Sequence, residues 1–419
     1  MKRLAHLVLA LALCGSASTP AAAVLCAVDQ VPAATLLVPF FEVDIDDFNS
    51  TTTLVEIMET SGAAVLTHWT LWTDWGIPAL TFDVYLTGHD VQTVNVRDLL
   101  NGNLPRTAST GQDPGNFISP RGPRSTDVNY PSCNGVLPPT NPMPALLVDE
   151  MRRRLTGKPL VLDPYAGKCA GSPRANGDNI ARGYITIDVV NGCTLLDPTE
   201  PSYYTGTLGN ANVLIGDAFL ASPGPSFNTA YGYPVVHLEA ATLPPGSRSF
   251  YGRYVGGTGS DGREPLPSTF VAPFDGPSPD ATQLMIWRES GAADTPVDCG
   301  TQPAWAPLPT KPIELLDEQT QEVKASLSLP IATDIVDLAA DVTNPFGRGL
   351  AVLDLDHGGF AGRPAQAFVW RRSSLGSVGP LETAVAATPL EDLCTGSRFF
   401  LMFHDGFEQA LAPWSGVTP

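Results

Sequence analysis

The sequence predicts a mainly β protein made of two antiparallel β-sandwich domains, immunoglobulin-like, with long irregular loops and one short helix. Three observations predict it. Gly and Pro supply 39 and 40 of the 419 residues, and they punctuate every stretch that might otherwise grow into a long helix. Between them lie short runs that are apolar or alternate apolar with polar, the period of a pleated strand. The apolar fraction is 43% against a charged fraction of 16%, which is the balance of a chain that buries a core and not of an acidic disordered tail.

The first element, residues 1–23, reads as an export signal peptide. Lys2 and Arg3 precede the apolar run Leu4–Leu13, and Ala21-Ala22-Ala23 supplies the small residues of a cleavage site. The run falls short of the roughly 20 apolar residues that a helix needs to cross a bilayer. Leu13 stands where a lipobox would place a small residue before Cys14, so a lipoprotein is not expected. Cleavage near Ala23 leaves 396 residues, more than one typical domain. A large sandwich is expected over 24–305, a second over 306–395, and a tail motif over 396–419.

The clearest strand is Ala63–Trp72, where Val65, Thr67, Trp69 and Leu71 alternate with Leu66, His68, Thr70 and Trp72. Asp74-Trp75-Gly76-Ile77-Pro78 is a turn by composition, and Leu80–Leu86 and Val91–Val96 continue the meander. Further strands are expected at Thr35–Val43, Thr52–Met58, Tyr184–Val190, Asn212–Leu220, Pro234–Glu239, Ser249–Val255 and Gln283–Arg288. Beyond Pro307 follow Glu322–Leu329, Ile335–Val342, Leu350–Asp356 and Ala365–Arg371. The one helix is Ala145–Leu155, whose Leu146, Leu147, Met151 and Leu155 fall near helical spacing. Its last turn holds Arg152, Arg153 and Arg154, read as a solvated face that offsets the helix dipole. Residues 101–144 and 256–280, rich in Gly, Pro and Ser, form the two long loops.

Charge and cysteine set the setting. A net charge of −19 repels phosphate backbones, so nucleic acid is not an expected partner. No later run is long and apolar enough to make a transmembrane segment once the signal is removed. With Cys14 in the leader, Cys26, Cys133, Cys169, Cys193, Cys299 and Cys394 remain, an even set that in an exported chain reads as disulfides. Cys169 with Cys193 is the favoured pair, because both flank one Gly-rich loop and a short strand.

Catalytic patterns are weak. Gly257, Gly259 and Gly262 match the letters of a dinucleotide fingerprint, but Arg263-Glu264-Pro265-Leu266-Pro267 follows, where a helix would have to open. There is no Gly-x-Ser-x-Gly elbow and no His-Glu-x-x-His. Acidic clusters are the best site material. Asp44, Asp46, Asp47 and Asn49 follow an apolar strand, and hard oxygens in a bent loop suit calcium. Asp354 and Asp356 with His357 form a similar strand end. Trp69, Trp72 and Trp75 are read as core for one of the first two, with Trp75 the exposed ring of the turn. No other cofactor is indicated.

Thr35–Asp44, Thr70–Pro78 and Phe82–Gly88, with looser blocks at Asn212–Asp217 and Arg263–Pro267, resemble an uncharacterised family of exported bacterial β-rich proteins. That resemblance implies no activity and transfers no site residue. Phe403-His404-Asp405-Gly406-Phe407-Glu408, followed by Trp414-Ser415, is similar to a terminal motif on varied proteobacterial secreted proteins, which implies a sorting role. The expected function is an exported extracellular or cell-surface binding or structural protein, secreted or held at the surface. Its partner is an extracellular ligand or a cell-surface component. The alternatives are a secreted hydrolase of glycans or esters, with site residues dispersed over the long loops, and a calcium-dependent adhesion module.

Overall fold

The computed structural model describes residues 31–86, 88–105, 143–173, 178–223, 228–243, 248–256, 260–275, 282–292, 295–306, 308–317, 321–338, 340–358, 365–374, 382–386, 388–389, 391–392 and 397–398. The leader, Cys26, Cys133, Cys394, most of loop 101–144, Gly257, Gly259 and the Phe403–Ser415 motif lie outside the described residues.

The chain forms β1 (Thr35–Asp44), β2 (Thr52–Glu59), β3 (Val65–Thr73), β4 (Pro78–Leu86) and β5 (Val91–Asn95). A short helix (Val96–Leu100) and the helix Ala145–Leu155 follow, then β6 (Lys168–Cys169) and β7 (Ile180–Val190). A π-helical turn (Tyr203–Thr207) leads to β8 (Leu214–Pro223), β9 (Asn228–Pro234) and β10 (Val236–Leu238). The second half holds β11 (Thr269–Asp275), β12 (Gln283–Arg288), β13 (Val297–Asp298), β14 (Lys311–Asp317) and β15 (Glu322–Leu327). It continues with β16 (Thr333–Asp337), β17 (Arg348–Asp354), β18 (Ala367–Ser374), β19 (Glu382–Ala386) and β20 (Thr388–Pro389). The molecule is mainly β, and its sheets are antiparallel.

In the first half, a sheet of order β10-β1-β7-β3-β4 accompanies one of order β5-β2-β8-β9. Leu36, Ile187, Trp69 and Phe82 are cross-strand neighbours in one row. They share a buried cluster with Val55, Ile57, Leu214 and Ala218 of the other sheet. Each Leu, Ile, Val or Phe side chain among them contributes roughly 1.5–3 kcal/mol on burial. The approach is close: a Cβ on Gly216 would lie 2.9 Å from the Glu56 carbonyl oxygen and 3.1 Å from Leu36 Cδ1.

In the second half, the sheets run β15-β14-β17-β11-β20 and β16-β12-β18-β19. Gln283–Arg288 and Ala367–Trp370 are nearly continuous apolar runs because β12 and β18 are buried on both faces. Leu284, Ile286, Ala367 and Val369 point into the second-half core. Met285, Trp287, Phe368 and Trp370 point into the first. Strands β11 and β12 precede residue 306 yet pair with strands after it, at β17, β16 and β18.

Several expectations are corrected. The described residues hold a second α-helix, Val96–Leu100, where the strand from Val91 stops at Asn95 because the Asn95 side chain accepts the Arg97 N–H as an N-cap. Ser249–Val255 is not a strand. Its rings pack inward, with Phe250 against Trp287 at 5.7 Å, and the Tyr251 N–H donates to Asp261. Loop 256–280 contains β11, whose Pro273 lies beyond Phe270 and Val271, the two positions that β20 pairs among the described residues. Trp75 is buried at 2% exposure, since its turn is clamped to the second half and its carbonyl accepts from Trp305 Nε1 at 3.1 Å. Gly76 permits this with φ +78°. Cys169 pairs with Cys299 and not with Cys193: β6 and β13 are hydrogen-bonded, and the two Cα atoms are 5.0 Å apart. Cys193 is engaged in a disulfide of its own. Among the described residues, no helix is long and apolar enough to cross a membrane.

Candidate functional site

Three clusters collect the polar chemistry, and they differ in how far their polar atoms are already paired. The acidic loop comes first. Asp44 Oδ1 accepts the N–H groups of Asp46 and Asp47 at 3.0 Å each, and Asp47 Oδ1 accepts the Asn49 N–H at 2.9 Å. Asp46 accepts from the Asn179 amide. Arg97 reaches in from the short helix and donates to the carbonyls of Phe48, Ser50 and Thr51 at 2.6–2.9 Å. The loop therefore wraps around a guanidinium. Burial pushes the Asp44 carboxyl up, but the Asp47 N–H, the Ser50 side chain, the Asp46 N–H and Arg97 outweigh it, leaving the group below its ordinary value. Among the described residues, no group of three or more His, Cys, Asp or Glu side chains is arranged to hold a metal ion.

The strand end at Asp354 is a turn of the same local kind. Asp354 accepts the Asp356 N–H at 3.1 Å, and Asp356 accepts the N–H groups of Gly358 and Ala365 at 2.9 Å. His357 Nε2 lies 2.9 Å from the Glu289 carbonyl oxygen. These acceptors hold backbone.

The second cluster is a row of ionisable and hydroxyl side chains on the opposite face of the β10-β1-β7-β3-β4 sheet from Leu36. Strand register places Thr35, Asp188, His68 and Asp83 side by side across β1, β7, β3 and β4. All four are buried. Asp188 accepts from Thr35 and from the hydroxyls of Tyr203 and Tyr251 at 2.7 and 2.8 Å. Burial, and then Asp188, raises both tyrosines well above their ordinary value, so they serve as hydrogen-bond donors. Arg263 closes the end of the row. Its Nε donates to Thr35 Oγ1 at 2.6 Å, and its other nitrogens donate to Asn210 and to the Gly209 carbonyl.

His68 Nδ1 lies 2.6 Å from Asp83 Oδ1, and the second Asp83 oxygen accepts the Thr194 N–H at 2.9 Å. This is an Asp–His dyad without a nucleophile. No hydrogen-bond partner meets His68 Nε2, and the imidazole packs on the Tyr203 ring at 5.7 Å. A Ser–His–Asp triad needs a hydroxyl at that nitrogen and access for substrate. Among the described residues the row has neither. Trp69 and Trp72 are also fully buried, so neither ring offers a face to a sugar.

The third cluster is open. A groove of about 340 Å³ lies between the helix Ala145–Leu155, the start of β4 and the loop 162–165. Leu80, Met143, Leu147, Met151 and Leu162 give it an apolar lining, and Glu150, Arg154, Asp163 and Tyr165 supply polar groups. The helix is held by its arginines, which corrects their reading as a solvated face. Arg152 Nε donates to the Leu100 carbonyl at 2.7 Å, and Arg154 Nη1 donates to the Pro78 carbonyl at 3.2 Å. Glu150 Oε2 accepts the N–H groups of Val161 and Leu162 at 2.9 and 3.3 Å, which docks the loop onto the helix. Glu150 Oε1 is buried and accepts no hydrogen bond. Arg154 Nη2 stands 3.8 Å from it. Burial draws the Arg154 guanidinium below its ordinary value, which Glu150 and Tyr165 only partly restore.

The sequence reading placed the helix but missed the groove. Its one legible signal is the Glu150–Arg154 spacing of four, which puts both on one face. The polar row was equally hidden, since one ionisable residue per apolar strand has no motif.

No protein-family model matches the chain, and no curated protein is similar to it. Among solved structures, the chain is similar to the structure of the Macrobrachium rosenbergii nodavirus at 8% identity, over 82% of this chain and 81% of that one, with a TM-score of 0.14. At that score the likeness carries no argument about fold or activity.

Proposed function

We propose that the chain is an exported binding or structural protein, working outside the cell or at its surface, with its ligand received in the groove beside the helix Ala145–Leu155. The observation that carries this reading is the placement of polar groups. Among the described residues, the row of Thr35, Asp188, His68 and Asp83 is buried, whereas the open groove has no histidine, serine or cysteine in its lining. A site of that composition favours holding a ligand over turning it over. Export is supported by residues 1–23 and by the Cys169–Cys299 disulfide, which suits an oxidising compartment. The architecture is read as two immunoglobulin-like sandwiches. In support, one buried cluster draws mostly on the β10-β1-β7-β3-β4 and β5-β2-β8-β9 sheets and another mostly on the two second-half sheets, with β12 and β18 contributing to both. The Phe403–Ser415 motif is read as a sorting signal for the surface.

The test is expression with the leader intact, followed by cell fractionation and amino-terminal sequencing. The expected product begins at or near Val24 in the medium or surface fraction and turns over none of a panel of glycosides and esters. A cytosolic product that keeps Met1, or a turnover abolished by Asp163→Asn, contradicts the reading.

A further inference from the structure

We infer that Asn49 is a glycosylation site, where an oligosaccharyltransferase of the export compartment joins a sugar chain to the side-chain amide. The inference rests on the reading that the chain is exported and adds a covalent modification to it.

The argument starts from the sequence of the acidic loop. Asn49-Ser50-Thr51 is an Asn-x-Thr acceptor triplet without proline in the middle, and no other Asn-x-Ser or Asn-x-Thr occurs in the chain. Asp47 stands two residues before Asn49, where bacterial oligosaccharyltransferases read an acid. The fold puts this triplet where an enzyme reaches it. It closes the connection between β1 (ending at Asp44) and β2 (starting at Thr52). Asn49 is exposed, and Phe48 beside it is 78% exposed.

The bonds of the loop hold its backbone and leave the asparagine amide unspent. Asp47 Oδ1 accepts the Asn49 N–H at 2.9 Å, and the Asp47 carbonyl accepts the Ser50 N–H at 3.1 Å. Arg97 donates to the carbonyls of Phe48, Ser50 and Thr51. The Asn49 carboxamide takes part in none of these and has no hydrogen-bond partner among the described residues. Its Nδ2 is therefore open to solvent on a turn whose shape is fixed from beneath. In the reaction, Nδ2 attacks the anomeric carbon of an oligosaccharide carried on a polyprenyl pyrophosphate. The nitrogen–carbon bond forms, and the carbon–oxygen bond to pyrophosphate breaks. The pyrophosphate leaves with that electron pair, and one Nδ2 proton passes to a base of the enzyme. A first sugar on Asn49 then stands beside Phe48 and covers a ring that the fold leaves in water.

Expression of the full chain with its leader, in a bacterial host that carries a periplasmic oligosaccharyltransferase and its lipid-linked oligosaccharide, tests this by intact mass and glycopeptide fragmentation. The exported product should include a species heavier than the polypeptide by the mass of one oligosaccharide, with fragmentation placing the sugar on Asn49. Asn49→Gln should lose that species entirely, and Thr51→Val should lose it as well. Thr51→Ser, which keeps the hydroxyl of the acceptor triplet, should retain it. Fragmentation of the wild-type glycopeptide locates the sugar without any variant, so the result stands even where a substitution disturbs the loop. A leaderless exported chain at the polypeptide mass overturns the modification alone. Sugar on another residue, or sugar retained by Asn49→Gln, overturns the assignment of the site. A product that keeps Met1 overturns the export reading and the modification with it, so the two failures are told apart.

Discussion

Asp188 and Glu150 are both buried carboxylates, and they are held in opposite ways. Asp188 accepts three hydroxyls, from Thr35, Tyr203 and Tyr251. Glu150 accepts two backbone N–H groups on one oxygen and none on the other. Asp188 sits mid-strand, where the register brings its partners to it. Glu150 sits on a helix at the rim of an open groove. Both acids lock elements together, Asp188 through side-chain hydroxyls and Glu150 through the Val161 and Leu162 backbone and its ion pair with Arg154 at 3.8 Å. The contrast says where to look for function: at the Glu150 end of the molecule, although the Asp–His pair lies in the other cluster.

The contrast can be broken hardest at Asp188. Asp188→Ala orphans three buried hydroxyls and should cost roughly 3–5 kcal/mol in denaturant unfolding, the range for breaking buried charged networks. Asp188→Asn, which keeps an acceptor, should cost less. A loss below about 1 kcal/mol for the alanine variant would mean that the row is not a lock.

Two buried groups outside both clusters give stability opposing slopes with pH. Burial holds His237 down to about 4 from 6.5, with Nε2 accepting the Gly216 N–H at 3.1 Å. Its contribution is present above pH 6.5 and lost as pH falls through 4. Burial, and then Glu239, raises Glu264 to about 7 from 4.5. Its contribution is present below pH 4.5 and lost as pH rises through 7. Each is worth up to about 3 kcal/mol. Thermal unfolding against pH should lose its acid limb in His237→Gln and its neutral limb in Glu264→Gln.

Arg97 sharpens the comparison from the other side, as a cation whose bonds are all internal. Arg97→Ala should cost about 2 kcal/mol by releasing three carbonyls. Because Arg97 already fills the acidic loop, millimolar calcium should leave the melting temperature of the wild-type chain unchanged. A rise on adding calcium would assign Asp44, Asp46, Asp47 and Asn49 to a metal after all.

What could be read from sequence follows from the range of the interactions. Gln283–Arg288 and Ala145–Leu155 were legible to the residue because period and flanking breakers are local. Ser249–Val255 misled because its aromatic spacing serves a ring cluster set by Trp287 and Asp261. Thr269–Asp275 was hidden by Pro273 and its Gly-rich flanks. Arg97 and the loop it fills are separated by nearly fifty residues, from Arg97 back to Phe48 at |i−j| 49. Cys169 and Cys299 are 130 apart. No local pattern encodes such pairings, and the polar row needs four strands in register before it exists.

Denaturant unfolding of Asp188→Ala beside Glu150→Gln sets the sealed row against the groove most directly. Asp188→Ala should lose roughly 3–5 kcal/mol, whereas Glu150→Gln, which keeps an acceptor for the Val161 and Leu162 N–H groups, should lose no more than about 1 kcal/mol. A larger loss in Glu150→Gln than in Asp188→Ala would contradict the account of the buried row as the lock of the molecule.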